Sequence, residues 1–271
     1  MIGNRHKPFI TVLLLFVSFR LLAILTLRTG GFVADFSDYD FYYAWGQLSA
    51  MGYETYNNLW TAYPPLFPAL MLPIYDASSR IPPLIEPRFF FHLFFGLFLL
   101  FFETGNLILI YRLVLKLARD EAFRGSTESL PPSPILEKKS RSNQAQSNPA
   151  EHDFVYGSVE GVALWSAILY ALLFVPAYTL LGWFEAMPLF FMLLSLDLLL
   201  TKRRWSWPMS AIAAALGFLV KLTPALLVPI AIRWLGAKFS WRAARNEWFN
   251  RHSSGNLLRP TVYTLIFFGV I

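Results

Sequence analysis

The residues best suited to chemistry are two aspartates that follow the first apolar segment of the chain. Asp38 and Asp40 stand in the run S-D-Y-D-F-Y-Y-A-W, with Asp35 just before them. A carboxylate beside an apolar medium has a raised pKa, which suits a general base that takes a proton from a hydroxyl group. One alternative is that these acids only begin a helix, because aspartate is favoured at helix N-caps. A divalent cation held by Asp38 and Asp40 is a further alternative.

A second candidate is Lys221, which lies in the apolar run G-F-L-V-K-L-T-P-A-L-L-V-P. A lysine between two apolar segments is costly unless it has an anionic partner, and a phosphate group would serve. The alternative is that its ammonium group only extends to the lipid headgroups. Pro224 should break the helix beside it. Glu185 and Trp183 could reach the same cleft, but we interpret them as ordinary loop residues.

Aromatic residues crowd the segment that follows the aspartates. We place Tyr42, Tyr43 and Tyr63 beside a substrate, because aromatic rings suit the apolar face of a sugar. The same residues also suit a membrane–water interface, where tyrosine and tryptophan are enriched. Arg20 and Arg88 are weaker candidates for binding a phosphate. Arg20 falls inside an apolar block, so its side chain should face the interior of a helix bundle or a cavity.

The composition is that of an integral membrane protein. Of the 271 residues, 56% are hydrophobic and 15% are charged, against roughly 45–50% and about 25% in soluble domains. The hydrophobic residues form long blocks with polar gaps between them, which predicts an all-α polytopic fold. The chain has no cysteine, so disulfides, thiolate metal sites and a cysteine nucleophile are excluded. No glycine-rich phosphate loop appears, so a nucleotide donor has no visible site.

Seven transmembrane helices are predicted from the apolar blocks, each crossing needing about 20 residues. The blocks are residues 8–27, 88–117, 157–175, 186–200, 207–222, 224–234 and 260–271. The last block is too short to cross, so we interpret the sequence as the N-terminal part of a longer protein. Residues 118–156 are rich in Ser, Pro, Asn, Gln, Glu and Lys and are predicted to be a disordered loop.

Residues 28–87 are predicted to form one large outer loop that carries two helices lying at the membrane surface. Residues 40–51 place aromatic and apolar side chains at a helical spacing, so one face of that helix is lipophilic. Residues 63–75 are too short to cross, and their prolines remove amide donors that lipid could not replace. Residues 1–235 then form the transmembrane module, and residues 236–271 form a basic loop and the start of the seventh span.

The formal net charge of +6 could indicate a nucleic acid or an anionic lipid as partner, and the placement of the charges decides between them. With the N-terminus in the cytoplasm, most of the 23 lysines and arginines fall in cytoplasmic segments. The charge is therefore explained by membrane topology, and nothing indicates a nucleic acid. The same orientation puts residues 28–87 on the extracytoplasmic face.

Three motifs together resemble the GT-C superfamily of glycosyltransferases, which take a sugar from a polyprenyl-phosphate carrier on the outer face of a membrane. S-D-Y-D-F-Y-Y-A-W is similar to the D-x-x-x-Y-Y pattern of glycosyltransferase family 87 and to the Asp-x-Asp of the mannosyltransferase of glycolipid-anchor synthesis. The second motif is Y-P-P-L-F-P-A-L, which begins at Tyr63. The third is the Lys221 run, which is like the Gly…Lys-x-x-Pro segment of that family. Their order and spacing match over about residues 8–235.

The resemblance implies an inverting transfer of a mannose-like hexose or a pentose to an acceptor hydroxyl in the cell envelope. The catalytic acid of the family falls on Asp38, with Asp40 as its neighbour, and the contact to the carrier phosphate falls on Lys221. Tyr63 stands where the aminoarabinose transferases of the superfamily have a lysine before Pro-Pro, so the donor contacts differ from those of that branch. The acceptor could be a glycan, a lipid or a protein.

A polytopic transporter or lipid flippase without transferase activity is the alternative function. Such a protein would need ionisable residues near the middle of the bilayer, in broken helices related by an internal repeat. Glu103 and Asp197 are the only acids deep within the predicted spans, and we find no repeat. The sequence therefore favours the transferase.

Overall fold

The protein is described by a computed structural model over residues 6–26, 37–82, 88–127, 159–173, 181–201, 203, 205–236 and 255–271. Within these ranges the fold is all-α, and the only β pairing is an isolated bridge between Thr55 and Leu59. The helices are α1 Lys7–Thr26, α2 Tyr39–Ala50, α3 Leu66–Ser79, α4 Phe89–Thr127, α5 Val159–Leu173, α6 Ala186–Leu200, α7 Ser206–Val220, α8 Leu227–Leu235 and α9 Gly255–Val270. A short 3₁₀ helix, Thr223–Leu226, precedes α8.

The predicted apolar blocks and the two predicted loop helices all coincide with helices. The block predicted at residues 186–200 has the bounds of α6. The helix predicted at residues 63–75 begins later, at Leu66, because Pro65 takes its N-cap position. The prediction of disorder from residue 118 onward is wrong for its first part, because α4 continues to Thr127. Ala118, Arg119, Glu121, Ala122 and Arg124 in this part are good helix formers, and residues 128–156 lie outside the described ranges.

Two of the described helices are long and apolar enough to cross a bilayer by length and composition. They are Lys7–Thr26, with a mean hydropathy of 2.4, and Phe89–Arg119, with a mean hydropathy of 2.1. The other apolar helices have 10–17 residues, fewer than the roughly 20 that a crossing usually needs. The count of seven transmembrane helices therefore stays a prediction.

Helix α4 is central and packs against α1, α3, α5 and α6. Along one part of it, aromatic residues of α1 and α4 meet alanines of α5, and the Phe9 and Tyr111 rings stack with centroids 3.9 Å apart. The small side chains of Ala163 and Ala167 let α5 approach closely. This cluster fixes α4 against α1 and α5.

Helices α6 and α7 form the most extensive helix pair in the described chain. Ser195 and Ser210 join them through reciprocal hydrogen bonds of 2.8–2.9 Å, and both side chains are buried. Alanines line the facing side of α7 and allow the backbones to approach. The pair therefore holds the start of α6 and the end of α7 in a fixed relation.

The largest apolar cluster lies beneath the segment that carries Asp38. It joins α2 and α3 to one end of α4, the start of α6 and the last residue of α7. Its fully buried rings and side chains include Tyr42, Phe67, Met71, Phe95 and Phe184. The aromatic residues that the sequence offers for a sugar or an interface therefore form, in large part, the core on which the site is built.

Candidate functional site

Asp38 lies at the start of α2 and is fixed there by its backbone. Its N–H group donates a hydrogen bond of 2.7 Å to the Leu181 carbonyl, which ties α2 to the segment before α6. The carboxylate does not cap the helix. It accepts a hydrogen bond of 3.1 Å from the Tyr42 hydroxyl instead. Asp38 thus occupies the N-cap position of α2, as the helix-start alternative predicts, but its side chain makes no capping hydrogen bond.

Gly182 permits this close approach of the two segments. Its φ of 75° lies in the left-handed region, and a Cβ atom added there would lie 2.8 Å from Cδ2 of Tyr39. Any other residue would be strained by its backbone and would also collide with the Tyr39 ring. The turn at Gly182 thus brings Phe184 and Glu185 beside the start of α2.

Lys221 reaches the same place from the end of α7. Its Nζ atom donates a hydrogen bond of 2.8 Å to Oε1 of Glu185. The ammonium group also lies 5.5 Å from the centroid of the Phe184 ring, within the range of a cation–π contact. The side chains are partly open to solvent, at 37% for Lys221 and 41% for Glu185.

The electrostatics of Asp38 connect it to this ion pair. Burial raises the pKa of Asp38, and the hydrogen bond from Tyr42 lowers it. The negative charge of Glu185 raises this pKa, whereas the positive charge of Lys221 lowers it. Burial also raises the pKa of Tyr42, so its hydroxyl stays protonated and can donate to the carboxylate. Asp38 is therefore more basic than an ordinary aspartate, as a general base requires.

Aromatic rings close one side of this group of charges. The Tyr63 and Phe184 rings meet edge to face with centroids 4.9 Å apart, and the Tyr42 ring lies 6.4 Å from Phe184. The Tyr63 backbone carbonyl accepts a hydrogen bond of 2.6 Å from the Tyr56 hydroxyl, which anchors the loop before α3. We call the residues Asp38, Tyr42, Tyr63, Phe184, Glu185 and Lys221 the Asp38 cluster.

The end of α7 is shaped so that Lys221 leaves the helix. Lys221 has an extended backbone. Pro224 packs against Gly217, which lies one helical turn before Lys221. A Cβ atom added at Gly217 would lie 2.9 Å from both Cβ of Phe191 and Cγ of Pro224. The motif that combines a glycine, a lysine and a proline is thus a tight turn that presents the lysine.

Gly217→Ala should therefore destabilise the protein. Overpacking costs roughly 1–3 kcal/mol and the better helix propensity of alanine returns up to about 1 kcal/mol, so we expect a net loss of about 1–2 kcal/mol. Gly269→Ala is the matched control, because a Cβ atom at that helical position meets nothing within 4 Å. Unfolding of both variants in detergent is the measurement, and equal stability of the two would contradict this packing.

Asp40 points to a different set of partners. Its Oδ1 atom accepts a hydrogen bond of 2.6 Å from Nη1 of Arg88 and lies 3.9 Å from Nε2 of His92. The Arg88 guanidinium lies 5.6 Å from the centroid of the Tyr43 ring. The Asp40 side chain is 59% exposed. A cation shared by Asp38 and Asp40 would have to displace the contacts of both carboxylates.

Arg20 faces the interior of the bundle, as its position in an apolar block predicts. Its Nε atom forms an ion pair with Glu103 of α4, and the side chains are 2% and 1% exposed. The Arg20 guanidinium also lies 3.4 Å from the centroid of the Phe16 ring. This buried pair joins α1 to α4, so we do not retain Arg20 as a phosphate contact.

The structure thus divides the predicted site residues into three groups. Asp38, Tyr42, Tyr63 and Lys221 come together, whereas Asp40, Tyr43 and Arg88 form a neighbouring group, and Arg20 is buried elsewhere. Asp35 lies outside the described residues. Glu185 was interpreted as an ordinary loop residue, and the structure makes it the direct partner of Lys221. Its position just before an apolar block, at the same predicted membrane face as Lys221, was the available signal.

Comparisons of the chain with protein families, with curated proteins and with solved structures gave no match.

Proposed function

We propose that this protein is a membrane glycosyltransferase of the GT-C type. It would move a sugar from a polyprenyl-phosphate carrier to an acceptor hydroxyl on the extracytoplasmic face. One observation carries the proposal: two motifs far apart in the sequence meet at the Phe184 ring. That ring lies 6.4 Å from the ring of Tyr42, the hydrogen-bond partner of Asp38, and 5.5 Å from Nζ of Lys221. The second motif, Y-P-P-L-F-P-A-L, contributes Tyr63 to the same cluster.

The chemistry of the cluster matches the needs of inverting transfer. The acceptor oxygen attacks the anomeric carbon of the sugar and loses its proton to the Asp38 carboxylate. The bond from that carbon to the carrier phosphate breaks, and the phosphate leaves with the bonding electrons. Lys221 would hold this phosphate and stabilise the negative charge that develops on it. The Tyr42 hydroxyl orients the carboxylate, and the partly exposed Tyr63 ring, which packs on the buried Phe184 ring, offers a surface for the sugar.

A membrane location is supported by the outer surfaces of the helices. The exposed side chains of α1 and α5 are largely apolar: Leu14, Leu15, Phe19, Leu22 and Leu25 on α1, and Val162, Trp165, Leu169 and Leu172 on α5. Apolar faces of this extent are costly in water and favourable in lipid. The multi-span topology, with the N-terminus in the cytoplasm, is part of the proposal and rests on the distribution of basic residues.

The transporter alternative is less well supported by the contacts of the deep acids. Glu103 is paired with Arg20. Asp197 is paired with Lys116 at 2.6 Å and with Arg112 at 3.1 Å. Both acids join neighbouring helices, which is a structural role that requires no transported ion.

The experiment that tests this function is a transfer assay with radiolabelled polyprenyl-phosphate mannose and, in parallel, a labelled pentose donor. Membranes that contain the protein should move label into an acceptor fraction, and membranes without it should not. A transporter would move the labelled lipid across the bilayer without forming a new glycoside. Movement of intact donor with no new glycoside would therefore contradict the proposal.

Lys221→Ala should weaken binding of the donor more than it slows the chemical step. The expected effect is a rise in the donor KM of about tenfold, since a charge-assisted hydrogen bond is worth roughly 1.5–3 kcal/mol and some of it is screened. Lys221→Arg keeps the charge and should restore most of the affinity. An unchanged donor KM in Lys221→Ala would contradict the phosphate role.

The pH dependence of transfer should follow the Asp38 carboxyl group, which must be ionised to accept a proton. Because burial raises its pKa, kcat/KM for the acceptor should fall, as the pH is lowered, at a higher pH than for an ordinary aspartate. Lys221→Ala removes a charge that lowers this pKa and should move the fall to higher pH. Glu185→Gln removes a charge that raises it and should move the fall to lower pH. Shifts of both variants in one direction would contradict the assignment.

A further inference from the structure

The Glu185–Lys221 ion pair has no evident structural task. It lies between the start of α6 and the end of α7, and these two helices are already joined by the buried Ser195–Ser210 hydrogen bonds. Both side chains are partly exposed, and an ion pair with that exposure contributes little to stability. The geometry of the pair therefore needs another explanation.

Among the described residues, the charges near Lys221 are unbalanced. Asp38 and Glu185 supply two carboxylates, and both act on the surroundings of one ammonium group. A carrier phosphate that enters this place brings another negative charge. Like charges at close range repel each other strongly where water is partly excluded. A phosphate and the Glu185 carboxylate therefore compete for Lys221.

The Lys221 ammonium group has three donors on a flexible stem and binds anions as a point charge. One of these donors is engaged with Oε1 of Glu185 at 2.8 Å. Because the pair is open to solvent, an anion can replace the carboxylate without unfolding of the buried core. The exchange needs only rotation of the Glu185 and Lys221 side chains.

We propose that Glu185 is the resting partner of Lys221. Its carboxylate occupies the place of the carrier phosphate until a donor binds. This inference rests on the proposed function, because it assigns a role in the same site. Glu185 is a positioning residue that lowers donor affinity and holds Lys221 in place in the empty protein. On release of the spent carrier phosphate, the carboxylate returns to the lysine and helps the phosphate to leave.

The test is the equilibrium binding of farnesyl phosphate, a short polyprenyl phosphate, to the purified chain in detergent. Glu185→Gln should bind it roughly two- to fivefold more tightly than the wild type, since a partly exposed ion pair is worth up to about 1 kcal/mol and each 1.4 kcal/mol is tenfold. In the Lys221→Ala background, Glu185→Gln should give no such gain, so the double variant should bind farnesyl phosphate no more tightly than Lys221→Ala. The donor KM should fall by a similar factor.

Asp76→Asn is the matched control, because it also removes one negative charge from an exposed ion pair, with Arg80. It should leave the affinity for farnesyl phosphate and the donor KM unchanged. If Glu185 had only a structural role, Glu185→Gln would have a lower unfolding temperature and would not bind phosphate more tightly.

The outcomes separate this inference from the function on which it rests. Equal or weaker binding by Glu185→Gln, with sugar transfer intact in the wild type, would overturn the role of Glu185 alone. An equal gain in Asp76→Asn would overturn it as well, because the effect would then be one of net charge. Absence of both phosphate binding and sugar transfer in the wild type would overturn the proposed function and this inference together.

Discussion

Asp38→Asn is expected to slow sugar transfer by roughly 10²–10⁴-fold, the usual contribution of a general base. The amide keeps the size of the side chain and can still contact the Tyr42 hydroxyl, but it cannot take a proton from the acceptor. Because the proposed role of Asp38 is on the acceptor and that of Lys221 is on the donor, the donor KM should change little. The measurement is steady-state transfer with purified protein at saturating donor.

Asp40→Asn provides the comparison on the neighbouring acid. The Asp40 carboxylate pairs with Arg88 rather than with the Asp38 cluster, so its loss should cost much less than the loss of Asp38. Equal losses for the two variants would indicate that the carboxylates act as one unit, as in a shared metal site. An Asp38→Asn protein that is fully folded and transfers at the normal rate would contradict the assignment of the base.

Arg20→Met is expected to be the most destabilising of these substitutions. It would leave the Glu103 carboxylate in the bundle without the guanidinium that pairs with it. Removal of one partner from a buried ion pair typically costs about 3–5 kcal/mol. The loss should appear in thermal unfolding in detergent.

A double variant and an exposed control make this prediction specific. Arg20→Met/Glu103→Leu replaces both charges by apolar groups and should recover much of the stability, since apolar replacement of a buried pair is often close to neutral. Arg80→Met breaks the exposed pair with Asp76 and should cost less than about 1 kcal/mol. Comparable losses for Arg20→Met and Arg80→Met would contradict a structural role for the buried pair.

The helices were largely predictable because long apolar runs bounded by charges or prolines fix where a helix can lie. The bounds of α6 illustrate this, since the run begins after Glu185 and ends before a basic cluster. The end of α4 was not predicted, because the polar composition from residue 118 onward suggested disorder. The alanine, arginine and glutamate residues in this part nevertheless favour a helix, and α4 continues to Thr127. The interior position of Arg20 followed from the cost of a charge in an apolar block, but its partner Glu103 depends on how α1 and α4 pack.

The site was predictable in its residue types and less so in its contacts. Asp38 and Lys221 stood out because each is a charge at the edge of an apolar segment. The link between them through Glu185 depends on the turn at Gly182 and on the pairing of α6 with α7, and no local pattern encodes either contact. The separation of Asp38 from Asp40 followed from helical geometry, because residues two apart in a helix face different directions.

The most direct test of the account measures the leaving group, so it does not require the acceptor to be known. Purified wild-type protein is given a polyprenyl-phosphate sugar labelled in its lipid, together with an extract that contains candidate acceptors, and the appearance of free polyprenyl phosphate is followed. We expect release by the wild type and little release by Asp38→Asn, with the donor bound by both. Equal release by the two proteins, or no release by a wild type that binds the donor, would contradict it.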